Sequence, residues 1–214
     1  MKEISVFDVI GPNMIGPSSS HTAGALRIAL MAGKISKGKP KKVQFILYGS
    51  FAMTYKGHGT DKALLAGILG MSTEDYRIRD SFRLADEAGI EYEFIPTTEN
   101  KGYHPNTVEV VITNDEGVTT SILGVSIGGG NVKLKQINGA DISLSGNLTT
   151  LFVQQIDTPG VIAHHVNIAC MKLYRVNKGE NAYTIIETDE KLDDTLVAEI
   201  ESNPSIKGAI VIDL

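Results

Sequence analysis

The spacing of apolar residues changes character near residue 90, and that change limits the folds open to this chain. Before it, Ala23, Leu26, Ile28, Leu30 and Met31 recur with near-helical spacing. Asp61–Leu69 and Arg77–Ala88 read as further helices, the second stopped by Gly89. Val43–Tyr48 reads as a buried strand among them. After it, Tyr92–Phe94, Val108–Ile112, Thr119–Val125, Val132–Ile137 and Ile142–Leu144 are short and β-rich. Gly117, Gly128–Gly130 and Asn138-Gly139 punctuate them as turns. Helices first and strands afterwards predict an α+β layered sandwich, not strict βαβ alternation.

A second pattern starts near Leu148. Thr149–Ile156 reads as a strand, followed by a turn at Asp157-Thr158-Pro159-Gly160. Asn167–Val176 and Ala182–Glu187 form a predicted strand pair, Asp193–Ser202 a helix, and Ile206–Ile212 a closing strand. Charge divides at the same place. Leu148–Leu214 holds five Lys/Arg against ten Asp/Glu, and the residues before it hold fifteen of each. Two domains are therefore expected, 1–147 and 148–214, within the reach of a 214-residue chain.

Composition closes off several functions. No basic stripe is present to meet nucleic acid. No apolar run approaches the ~18 residues of a membrane span. No basic start leads into an apolar signal core, so the cytoplasm is the expected compartment. Cys170 is the one cysteine in the chain. An iron–sulfur cluster takes about four thiolates, so this chain cannot hold one by itself. Cys170 reads as a small core residue.

Three polar, glycine-flanked segments carry the candidate chemistry. In Pro17-Ser18-Ser19-Ser20-His21-Thr22, hydroxyls and an imidazole gather at a predicted helix N-terminus, with Ser19 or Ser20 as its cap. Such a terminus suits a carboxylate or phosphate, and simple capping explains the same residues. In Gly57-His58-Gly59-Thr60-Asp61, two glycines leave the imidazole approachable, and histidine is the commonest general base. A turn histidine before a helix capped by Thr60 or Asp61 is the plainer reading. His104-Pro105-Asn106 is a stiff turn that leads into a strand. Ser126-Ile127-Gly128-Gly129-Gly130 reads as a turn, a bulge, or a place where a ligand nears the backbone, and it lacks dinucleotide-loop spacing. The histidines lack the short ligand pairs of a zinc site, and no Gly-x-Ser-x-Gly elbow occurs.

In combination the segments are far more specific. Ile15–Thr22, Tyr48-Gly49-Ser50, Lys56–Asp61, His104-Pro105-Asn106 and Ser126–Gly130, in that order, resemble the beta region of the iron–sulfur-dependent L-serine dehydratases across nearly all of 1–147. The C-terminal part resembles an ACT domain, a ferredoxin-like βαββαβ module that binds amino acids. Asp157–Gly160, Val166-Asn167-Ile168, Arg175, Gly179 and Thr184–Asp189 carry that likeness. One departure stands out. Val161–Val166 leaves room for at most about two helical turns where an ACT domain has a full helix, so its first helix is expected to be shortened.

The resemblance implies a reaction, partners and roles. The expected function is the beta subunit of a two-chain enzyme that turns L-serine into pyruvate and ammonia. A 4Fe–4S cluster is expected on the partner alpha chain. His58, His104 and His21 are the expected catalytic residues, with His58 as the base that takes the Cα proton. Ser18, Ser19, Ser20, Thr22, Thr60, Asp61 and Asn106 are the expected substrate-binding set. Asp157, Gly160 and Asn167 are expected to face a regulatory amino acid, L-serine itself, where ACT domains self-associate. The beta region also resembles a regulatory domain of some phosphoglycerate dehydrogenases, so a non-catalytic amino-acid sensor is the alternative.

Overall fold

The computed structural model describes residues 11–99, 101–156, 168–175, 179–189 and 191–213. The fold is mixed α+β, with two sheets and few helices, and the chain divides into two compact units, Met1–Asn138 and Gly139–Leu214. The boundary read from charge, 147/148, falls just before the strand Thr149–Ile156.

The first sheet contains β1 (Pro40–Tyr48), β2 (Glu91–Pro96), β3 (Asn106–Asn114), β4 (Thr119–Gly128), β5 (Asn131–Ile137) and β6 (Ala140–Leu144), in the order β2-β1-β3-β4-β5-β6. β1 pairs with β2 in parallel and with β3 antiparallel. A parallel pair needs a long crossover, and residues 49–90 supply it with most of the helices. β3 and β5 alternate, so Val108, Val110, Ile112, Val132 and Leu134 are buried on one face. In the Ser126–Gly130 segment the register against β5 shifts between Ser126 and Gly128, and Gly129-Gly130 form the turn into β5, so both the bulge and the turn expected of it are present.

Helix α1 (Ala25–Ser36) buries Leu26, Ile28, Ala29, Met31 and Ala32 and packs on β3, β4 and the helix Thr60–Ile68. The last is separated from β1 by a short helix, α2 (Gly49–Thr54), and is numbered α3. α1 and α3 approach closely at Gly67, where a Cβ would overlap the Leu26 carbonyl oxygen and sit 2.7 Å from the Ala29 Cβ. Two elements differ from the sequence reading. Gly49–Thr54 is a helix where the sequence reading placed no element. The predicted helix Arg77–Ala88 is a 3₁₀ turn, Tyr76–Asp80, followed by α4, Ser81–Glu87. Asp75 causes the tight start, since its carboxylate accepts from the Arg77 N–H and holds the Arg77 guanidinium at 2.6 Å.

The second unit is built on β7 (Thr149–Ile156), β8 (Ile168–Arg175), β9 (Asn181–Thr188) and β10 (Ile206–Ile212), ordered β10-β7-β9-β8 and antiparallel throughout. Helix α5 (Asp194–Glu201), capped by Asp193, packs on β10. Leu151, Val153, Ile186 and Ala209 form a core under Val197 and Ile200 of that helix. Among the described residues no helix is long and apolar enough to cross a membrane.

Candidate active site

The Ser18–Thr22 segment folds as a π-helical turn, Ser19–Gly24, that runs directly into α1. The turn is wide because the Ser18 carbonyl accepts from both Thr22 N–H at 2.8 Å and Ala23 N–H at 3.3 Å. Ser18, not Ser19 or Ser20, is the cap: its hydroxyl accepts from the His21 N–H at 3.1 Å. Ser19 and Ser20 are half-buried in the turn. The His21 ring reaches α2, where its Nε2 lies 3.0 Å from the Ser50 hydroxyl.

His58 enters at the end of the loop that follows α2. Its backbone N–H donates to the Thr54 carbonyl at 3.1 Å, and its Nδ1 lies 3.4 Å from the same oxygen. A carbonyl only accepts, so this long contact is a hydrogen bond in the His58 tautomer that carries its proton on Nδ1, and that tautomer leaves Nε2 free to accept. The His58 carbonyl accepts from the Thr22 hydroxyl at 3.1 Å, which ties the two histidine segments together. α3 then begins after Gly59, which is left-handed at φ 65° and gives no side-chain cap. Thr60 and Asp61 therefore do not cap it. The Thr60 hydroxyl is buried without a protein partner, and Asp61 accepts from the Lys62 N–H. Burial pushes the Asp61 carboxyl above the usual range, against the Lys62 contacts that pull it down.

The His21 and His58 rings lie 4.8 Å apart and tilted by 32°, and Phe51 of α2 closes the other side of His21 edge-on at 5.2 Å. Burial, and then the neighbouring His58, lower the His21 pKa below 6.5. Two imidazoles this close disfavour a double positive charge, so the pair holds one proton more readily than two.

His104 is placed differently. It is exposed, its Nδ1 accepts from the Asn106 N–H at 3.2 Å, and its carbonyl accepts from the Thr107 hydroxyl. It lines a cleft of about 720 Å³ together with Tyr48, Ser50, Met53, Lys101 and Tyr103. Asn106 is half-buried and bridges to Gly49 through its backbone. The residue common to both regions is Ser50. It lines the cleft, and its hydroxyl meets His21 Nε2 at 3.0 Å. Reading the sequence assigned Ser50 no role, although Tyr48-Gly49-Ser50 belongs to the pattern that carries the resemblance. The available signal was a glycine and a hydroxyl at the exit of a buried strand.

Asp157, Gly160 and Asn167 lie outside the described residues, as do His164 and His165. Among the described residues no group of three or more His, Cys, Asp or Glu could hold a metal ion. Cys170 is half-buried on β8 and is the chain's one thiol. These donors do not fit a 4Fe–4S cluster held by this chain.

Residues 5–93 match the sequence model of a family described as serine dehydratase beta chain. A probable L-serine dehydratase beta chain from Bacillus subtilis is 40% identical, over 96% of both chains. An L-serine dehydratase beta chain from Peptoniphilus asaccharolyticus is 41% identical, over 94% of both. A D-3-phosphoglycerate dehydrogenase from Bacillus subtilis is 28% identical over 72% of this chain and 30% of its own length.

Proposed function

The chain belongs to the serine dehydratase beta chain family, and from that premise we propose that it supplies the proton-abstracting half of an active site shared with an alpha chain. The substrate is L-serine, which loses its Cα proton and its hydroxyl as water. The resulting aminoacrylate tautomerises and hydrolyses to pyruvate and ammonia. The observation that carries this reading is the imidazole pair: His58, with Nδ1 facing a carbonyl, 4.8 Å from a His21 whose pKa burial lowers.

His58 Nε2 takes the Cα proton. His58 then carries a positive charge, and a neutral His21 beside it avoids the repulsion a second charged ring would add. His104 forms the outer wall, where the cleft admits the substrate, and Asn106 steadies it by donating its N–H to the His104 ring. The substrate carboxylate is assigned to Ser19, Ser20 and the backbone N–H groups of their turn, while Ser18 and Thr22 shape that turn through their bonds to His21 N–H and the His58 carbonyl. Thr60 and Asp61 bound the His58 loop from the α3 side. The 4Fe–4S cluster that this family resemblance implies is assigned to the alpha chain, because the donor set here holds a single thiol.

The second unit is proposed as an ACT domain. One helix between the third and fourth strands of an antiparallel sheet, with the closing strand next to the first, supports that reading. Its self-association, its binding of L-serine through Asp157, Gly160 and Asn167, and a cytoplasmic location belong to the same proposal. The similarity to a phosphoglycerate dehydrogenase favours a second reading, a chain that senses an amino acid without catalysis. Co-expression with the alpha chain separates the two. Pyruvate should form from L-serine, and His58→Ala should lower the turnover number roughly 10²–10⁴-fold, the usual cost of losing a general base. Turnover within about threefold of the unmodified enzyme would remove His58 from that role.

A further inference from the structure

We propose that Ser50 is a positioning residue: through its hydroxyl, helix α2 holds His21 in register with His58, and this sets the productive state of the imidazole pair. The proposal rests on the function proposed above and names a residue which that reading leaves without a role.

The case starts with how firmly α2 is placed. Gly49 sits at φ 54°, and a Cβ there would lie 2.7 Å from the Pro105 carbonyl oxygen and 2.9 Å from the Pro105 Cα. Phe51 N–H donates to that same carbonyl. The start of α2 is thus pinned between the end of β1 and the His104-Pro105-Asn106 turn. Phe51 is fully buried, which fixes the rotation of the helix.

Ser50 and Thr54 are four residues apart and so lie on one face of α2. The Thr54 hydroxyl donates to the Ser50 carbonyl at 2.8 Å and closes that turn. From this face, the Thr54 carbonyl meets His58 and the Ser50 hydroxyl meets His21. One rigid turn of helix therefore holds both rings.

The two holds differ chemically. The Thr54 carbonyl only accepts, so its 3.4 Å contact favours the His58 tautomer with the proton on Nδ1. A hydroxyl both donates and accepts. Ser50 can donate to a bare His21 Nε2 or accept from a protonated one. His21 thus keeps its orientation whichever proton it carries, while His58 alone has a nitrogen reserved for the substrate. Without the hydroxyl, a half-buried ring nitrogen loses its partner and the ring can turn.

The test uses the two-chain enzyme and, separately, the complete beta chain. Ser50→Ala should lower kcat for L-serine on the order of tenfold or more, with KM within about threefold, because an interaction that positions the machinery is lost and substrate binding is not. Ser50→Thr, which keeps the hydroxyl, should recover kcat to within about threefold of the original. Imidazole ¹⁵N and ¹H spectra of the beta chain alone should show the His21 resonances shifted and broadened in Ser50→Ala, as the ring loses its partner and turns, and restored in Ser50→Thr. An unchanged His21 spectrum in Ser50→Ala overturns the proposal. So does equal impairment of the Ala and Thr variants, or a rise in KM with kcat intact, which would make Ser50 a direct substrate ligand. If the unmodified two-chain enzyme forms no pyruvate, the proposed function fails, and the spectra still decide whether Ser50 holds His21.

Discussion

Replacing Gly49 by Ala tests the placement of α2 most directly. The left-handed backbone at φ 54° costs a Cβ-bearing residue about 1–2 kcal/mol. The new methyl would also meet backbone atoms of Pro105 at 2.7 and 2.9 Å, which cannot rotate away as a flexible side chain can. Overpacking of this kind adds roughly 1–3 kcal/mol. A total of about 3 kcal/mol should lower Tm by about 10 °C for a unit of this size. Gly89→Ala is the matched control. It has φ 68° and nothing within 4 Å of its Cβ, so it carries the backbone strain without the overlap. Its Tm should fall only about 3–6 °C, from roughly 1–2 kcal/mol of strain. The catalytic contrast should be larger. Relief of the overlap moves α2, and a shift approaching 1 Å in the groups that hold both imidazoles should reduce kcat on the order of 10²-fold. Differential scanning fluorimetry and pyruvate formation at saturating L-serine give both readings. If Gly49→Ala and Gly89→Ala melt together and turn over alike, α2 is not pinned as described.

Two further predictions rest on other contacts. His21 has a folded-state pKa below its unfolded value of about 6.5, so its contribution to stability is complete above that pH and is lost as pH falls from there through the folded-state value. Urea unfolding at descending pH should show that loss. His58→Gln should make it smaller and raise the His21 titration midpoint part of the way toward 6.5, since burial remains after the neighbouring ring is gone. An unmoved midpoint would mean that the two rings do not interact. Gly67→Ala adds a better helix former to α3, worth about 1 kcal/mol. Its methyl must nevertheless force α1 from α3 at Leu26 and Ala29, so a net loss of roughly 1–3 kcal/mol is expected in urea titration, and a gain would refute the packing described for that crossing.

Reading the sequence located most strands closely. Thr149–Ile156 and Ile206–Ile212 match β7 and β10 residue for residue, because alternating apolar positions and flanking turn residues act within a few positions of each other. It missed α2. A six-residue helix with Gly at its start and no side-chain cap has no local signature, and it exists because Phe51 is buried and the Pro105 carbonyl accepts the Phe51 N–H of its first turn. The capping residues were misplaced for a related reason. Three serines in a row give equal propensity, and the choice of Ser18 follows from the wide π turn.

The sequence by itself determined the class of fold, the order of the strands along the chain, the segments that carry histidine, and the family. All of these are written in short-range spacing or in motif order. Only the tertiary structure decided which histidines come together. The β1–β3 pairing brings residue 49 beside residue 106, and the crossover through α2 and α3 brings residue 58 back over residue 21. His21 and His58 therefore lie side by side with their rings 4.8 Å apart while His104 faces the cleft, and Ser50 links the two because it sits where the strand pairing and the crossover meet.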